Sequence, residues 1–133
     1  MIYENVIIIA EAGVNHNGCI ETAKKLVDAA VLAKVDFVKF QSFKAENLVS
    51  LDAKKANYQI ANTSSNDTNQ FSMLKKLELS SSDHQELLSY CNKKNIKFFS
   101  TAFDVDGIDY LFSLGLVLFK IPSGEITNYQ YLN

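Results

Sequence analysis

Apolar residues along the chain alternate between continuous runs and helical stripes, several times in succession. Val6-Ile7-Ile8-Ile9-Ala10 is apolar at every position and almost wholly β-branched, the pattern of a strand covered on both faces in a parallel sheet. A polar, turn-rich stretch from Glu11 to Gly18 follows. The spacing then becomes helical, with Ile20, Ala23, Leu26, Val27, Ala30 and Val31 on one stripe, which predicts a helix over residues 20 to 33. Phe37-Val38-Lys39-Phe40-Gln41 reads as a second strand. A second helix is expected over residues 82 to 94, with Leu87, Leu88 and Cys91 together, Ser82 and Gln85 as a capping box and Asn95 as its stop. Ile96-Lys97-Phe98-Phe99-Ser100 is the third expected strand, followed by a short helix over residues 105 to 114 that ends at Gly115. Val117-Leu118-Phe119-Lys120-Ile121 is the fourth expected strand, and a further helix is expected to begin near Thr127 or Asn128.

A helix after each strand implies crossover connections and a parallel sheet. The sheet could be open and doubly wound, or part of a barrel. Gly13 and Gly18 do not fit the glycine-rich nucleotide fingerprint, and no Walker motif is present, which favours a barrel without excluding the open sheet. One connection is unusually long: about forty residues separate Gln41 from Ser82. Short helices are expected within it over residues 51 to 60 and 70 to 77, flanking an exposed polar stretch over 62 to 69. This insertion between the second strand and its helix is either a cover for an active site or a surface elaboration.

Composition narrows the class. With 133 residues, 47% hydrophobic and a net charge of −2, the chain resembles an ordinary soluble domain. No basic cluster suggests nucleic acid, no apolar run is long enough to span a membrane, and no signal-peptide pattern is visible, so the cytoplasm is the expected location. Cys19 and Cys91 lack metal-ligand spacing and are expected to be packing residues. All 13 positive residues are lysines, so any phosphate must be held by ammonium groups, hydroxyls and backbone N–H rather than by an arginine fork.

The polar residues fall at the C-terminal ends of the expected strands. Glu11 follows the first strand, with Asn15 and His16 in its loop. Lys39 and Gln41 share a face of the second, since residues two apart point the same way. Ser100 and Thr101 end the third, and Lys120, Ser123 and Glu125 lie on and after the fourth. In a (β/α)₈ barrel these ends converge on one mouth. Lysines beside hydroxyls suit a phosphate or carboxylate, and two glutamates suit proton transfer. His16 either braces its loop or touches substrate. His84, on the first turn of a surface helix, is expected to be solvated.

Several of these segments together resemble the sialic acid synthases. They are Ile9-Ala10-Glu11-Ala12-Gly13-Val14-Asn15-His16-Asn17-Gly18, Val38-Lys39-Phe40-Gln41, Phe99-Ser100-Thr101-Ala102-Phe103-Asp104 and Lys120-Ile121-Pro122-Ser123-Gly124-Glu125. Tyr58-Gln59, Asn62-Thr63 and the run from Gln70 to Leu79 are similar to the bacterial sialic and legionaminic branch. The resemblance implies the N-terminal half of a (β/α)₈ TIM barrel, four parallel strands with the long insertion after the second. Residues 1–133 would run from the first strand to the start of the fourth helix, without the C-terminal half-barrel and antifreeze-like domain. It implies condensation of phosphoenolpyruvate with N-acetylmannosamine or a similar N-acyl amino sugar, giving phosphate and a nine-carbon 2-keto acid. Lys39, Thr101, Lys120 and Ser123 would bind phosphoenolpyruvate. Glu11, Gln41 and Glu125 would be catalytic, with Asn15 and His16 as loop or substrate contacts. The family's Mn²⁺ or Mg²⁺ would have its ligands outside this chain. The full-length family forms homodimers. A half-barrel alone is expected to be inactive and, with open edges and an uncovered apolar face, to self-associate or aggregate. A legionaminic or pseudaminic acid synthase, or a non-catalytic interaction module, are the alternatives.

Overall fold

A computed structural model describes residues 6–51, 54 and 69–133. Its centre is a parallel sheet in the order β1-β2-β3, formed by β1 (Ile9–Gly13), β2 (Phe37–Ser42) and β3 (Lys97–Ala102). Helix α1 (Ile20–Leu32) connects β1 to β2. After β2 come α2 (Ala45–Leu48), α3 (Gln70–Leu77) and α4 (Ser81–Lys93), and α5 (Val105–Ser113) follows β3. A 3₁₀ turn (Ser123–Glu125) and α6 (Tyr129–Leu132) complete the order.

The period-2 pleat sorts the strands into two faces. Val38, Phe40, Phe98 and Ala102 join Ala23, Val27 and Ala30 of α1, Leu87 and Cys91 of α4 and Leu111 of α5 in one buried cluster. The rings of Phe40 and Phe98 stack at 5.8 Å in its middle. The stripe read from the sequence of α1 is thus the stripe that packs. The opposite face carries Glu11, Lys39, Gln41, Phe99 and Thr101.

β1 starts three residues later than the apolar run suggested. The Asp36 and Phe37 N–H groups both donate to the Ile8 carbonyl, and the ladder opens only with Ile9 opposite Phe37. Where β2 begins therefore decides where β1 can begin. The capping box of α4 is Ser80 with Asp83, two residues upstream of the expected pair. Asn95 (φ 56°) and Gly115 (φ 87°) end α4 and α5 as expected.

The fourth strand is the main correction. Residues 117 to 121 form no ladder, and the sheet of the described residues has three strands. Val117, Leu118 and Ile121 are 83%, 41% and 49% exposed, so the apolar run lacks the cover that an all-apolar strand requires. Within the long insertion, the helix expected at 70 to 77 is present. The helix expected over 51 to 60 and the polar stretch over 62 to 69 fall almost wholly outside the described residues. Asn69 caps α3 by accepting from the Ser72 N–H. The insertion packs back on the β1–α1 loop at Gly18 (φ 72°), where a β-carbon would collide with the Lys76 carbonyl oxygen.

Candidate active site

β1 and β2 lie in a register that puts Glu11 opposite Lys39, and β2 and β3 in one that puts Gln41 opposite Thr101. Lys39 is 7% exposed, and its ammonium lies 2.5 Å from a Glu11 carboxylate oxygen. A buried ammonium needs such a partner, because an uncompensated charge in that position is costly. Glu11 itself remains half open to solvent. The ladder shifts between Glu11 and Gly13, a bulge that re-aims the strand end. A β-carbon on Gly13 (φ 56°) would meet Glu11 Oε1 at 3.5 Å and Gln41 Nε2 at 3.7 Å, so the two side chains converge over the bare glycine backbone. Thr101 is buried, and its hydroxyl has no hydrogen-bond partner among the described residues. A buried hydroxyl without a protein partner calls for a water or a ligand group.

Glu11, Lys39, Gln41 and Thr101 therefore come together on one face, as the alternation predicted for Lys39 and Gln41. Lys120, Ser123 and Glu125 lie outside the sheet, on and after the run that follows α5. Lys120 and Ser123 are exposed, and Glu125 is half-buried and accepts from the Asn128 side-chain amide at 2.6 Å. Tyr131 ties this segment to the end of β3 by donating to the Ala102 carbonyl at 3.0 Å. Asn15 is exposed in its loop. His16 is fully buried and accepts from the Gly18 N–H through Nδ1 at 3.0 Å, which makes it a brace of the β1–α1 loop. Burial, reinforced by the nearby His84, holds its imidazole below the usual histidine range.

His84 is not solvated. It is 3% exposed on the helix side of the sheet, where it meets Ser42 at 2.7 Å and the Ser80 carbonyl at 2.9 Å. Ser42 in turn lies 2.6 Å from Ser100. The expectation failed because the first turn of α4 faces the sheet, where Ser42 meets the ring. The missed signal was the spacing of 84, 87, 88 and 91, one continuous stripe with the buried Leu87 and Cys91. A cleft of about 420 Å³ opens beside His84, with Ser42, Phe43, Asp104 and Tyr110 in its wall. None of the residues expected at the site lines it.

No three His, Cys, Asp or Glu side chains cluster as a metal-ligand set among the described residues; His84 is engaged through both ring nitrogens, while the buried Nε2 of His16 has no partner among the described residues. The converging residues Glu11, Lys39, Gln41 and Thr101 include a single carboxylate, too few for a metal-ligand set among the described residues. What they do offer is anion recognition by a buried ammonium and a free hydroxyl, beside a carboxylate and an amide.

An α/β chain with a parallel sheet and converging polar groups on one face is a class with many functions. The NeuB family model matches residues 26–133, and the chain belongs to that family. It is 55% identical to the N,N'-diacetyllegionaminic acid synthase of Campylobacter jejuni over 97% of this chain and 38% of that protein. It is 54% identical to the enzyme of the same name from Legionella pneumophila, over 94% of this chain and 35% of that one. The sialic acid synthetase of Leptospira borgpetersenii superposes with a TM-score of 0.78 at 28% identity, covering 99% of this chain and 44% of its own. The chain thus spans well under half the length of the relatives it matches. No helix among the described residues is long and apolar enough to cross a membrane.

Proposed function

We propose that this chain carries the phosphoenolpyruvate side of a synthase that condenses phosphoenolpyruvate with an N-acyl amino sugar, giving a nine-carbon 2-keto acid and phosphate. The observation that carries the reading is the buried Lys39 ammonium on the same face as the unpartnered Thr101 hydroxyl. An ammonium and a directed hydroxyl suit the carboxylate and phosphate of that substrate. Lys120 and Ser123 would add a second ammonium and hydroxyl from the segment after α5. Glu11 and Gln41, converging over Gly13, would face the reacting carbons, with Glu11 as the proton-transfer group and Gln41 as an orienting amide. Glu125 would join them from the 3₁₀ turn.

The likeness to the N,N'-diacetyllegionaminic acid synthases of Campylobacter jejuni and Legionella pneumophila favours a diacetamido sugar of the legionaminic type over N-acetylmannosamine. Mn²⁺ or Mg²⁺, if used, would be held by residues outside this chain, as would part of the sugar site. Turnover and tight metal binding would then require those residues. The exposed apolar side chains of residues 117 to 126 are consistent with a surface that such residues cover.

The test is a phosphoenolpyruvate titration of the isotope-labelled chain by NMR. The reading expects saturable shifts at Lys39 and Thr101, with Kd on the order of 1 mM for half a site, lost in Lys39→Met. No shift at either residue contradicts it.

A further inference from the structure

Three polar side chains form a directed chain within the helix-side core. The Ser80 carbonyl can only accept, so Nδ1 of His84 carries the proton at 2.9 Å from it. Nε2 is then an acceptor, and the Ser42 hydroxyl donates to it at 2.7 Å. With its hydrogen so used, Ser42 must accept the Ser100 hydroxyl at 2.6 Å. Ser100, Ser42 and His84 are 0%, 5% and 3% exposed, and the imidazole is set edge-on to Phe98 and Tyr110. The order of donors has no free choice left in it.

Such a chain is not needed for stability, since apolar groups of similar shape would pack there at little cost. What it fixes is direction. Ser42 follows Gln41 and Ser100 precedes Thr101, and neighbours on a strand point to opposite faces. A small rotation of either strand that loosened Ser42 or Ser100 would swing Gln41 or Thr101 by the same angle on the other face. The two serines are diagonal across the ladder, since Phe40 opposes Ser100 and Ser42 opposes Ala102, so their bond ties both strand ends together.

We propose that the Ser42–Ser100 pair, its donor order fixed by His84, is a positioning device for the candidate active site that sets the directions of Gln41 and Thr101. This rests on the reading that those two side chains face substrate. Neither Ser42 nor His84 touches substrate in this account.

The test uses the isotope-labelled 133-residue chain with Ser42→Ala, Ser42→Thr and Ser100→Ala, each read across the strand pair from the substitution. In Ser42→Ala the Thr101 methyl resonance moves, and phosphoenolpyruvate affinity falls about tenfold. Ser42→Thr, which keeps the hydroxyl, restores both to within about twofold. A merely structural role would lower the unfolding midpoint without moving the Thr101 methyl. A folded Ser42→Ala chain with wild-type Thr101 shifts and affinity would overturn the proposal. Should Ser42→Ala fail to fold, Ser100→Ala gives the same decision from the Gln41 side-chain amide, which moves if the chain positions it and stays if it does not. Should the wild-type chain bind no phosphoenolpyruvate, the functional reading fails, and the Thr101 and Gln41 resonances still decide the positioning role.

Discussion

Replacing Glu11 with alanine strips a buried ammonium of its partner, and the structure sets bounds on the cost. Lys39 is 7% exposed and lies 2.5 Å from the carboxylate, whereas the Glu11 side chain is 56% exposed. A fully buried pair loses about 3–5 kcal/mol when one member is removed, and an exposed pair about 0–1 kcal/mol. With one end buried and the other wet, Glu11→Ala should cost about 1–2 kcal/mol, a fall in Tm of roughly 3–8 °C for a chain of this size. Lys39→Met should cost less, because it leaves only a half-exposed carboxylate. The double variant should recover most of the Glu11→Ala loss, giving a coupling of about 1 kcal/mol in a double-mutant cycle. The assay is urea unfolding of the four proteins followed by circular dichroism at two protein concentrations, which separates folding from self-association. A coupling indistinguishable from zero would refute the argument that Lys39 is buried by virtue of Glu11.

Other expectations follow from the same geometry. Burial lowers both imidazoles, His84 also through Lys44 and His16 also through His84, so the unfolded chain binds more protons below about pH 6.5. Stability contributed by the neutral rings is complete above that pH and is lost as pH falls toward the lowered values; a urea midpoint that rises between pH 7.5 and 5.5 would contradict this. Burial pushes the Cys91 thiol up to about 12, while hydrogen bonds from Thr22 lower that of the exposed Cys19. Iodoacetamide should therefore modify Cys19 in the native chain and Cys91 only in denaturant, with peptide mass mapping as the check. Gly18→Ala should cost about 1–3 kcal/mol, because φ is 72° and the new β-carbon meets the Lys76 carbonyl; an unchanged unfolding midpoint would show that the contact with the insertion yields freely.

Much of the fold, and the clustering of part of the candidate site on one sheet face, could be read from residue spacing and strand ends. The stripe of α1 and the alternation of β2 depend only on local periodicity, and that periodicity put Lys39 and Gln41 on one face. Thr101 was legible as a hydroxyl at the end of the third strand. Where the outcome depended on a partner element, spacing was silent. The run at 117 to 121 has strand composition, but composition does not decide whether it pairs with the open edge of β3. The start of β1 was set by Ile8 meeting Asp36 and Phe37, residues far apart in sequence. His84 was misplaced although it continues the stripe of Leu87 and Cys91, because a polar ring near a helix start suggests solvent until its partner Ser42 is brought under it. The pairing of Ser42 with Ser100 across the ladder has no counterpart in the linear order.

The central claim is that residues 1–133 supply working phosphoenolpyruvate-binding machinery to a synthase of this family. The most direct measurement replaces the matching segment of the Campylobacter jejuni N,N'-diacetyllegionaminic acid synthase with this chain and follows phosphate release from phosphoenolpyruvate with and without the amino sugar. The account predicts sugar-dependent turnover in the chimera and a loss of about a hundredfold or more with Lys39→Met. A folded chimera without turnover, or one that Lys39→Met leaves unchanged, would contradict it.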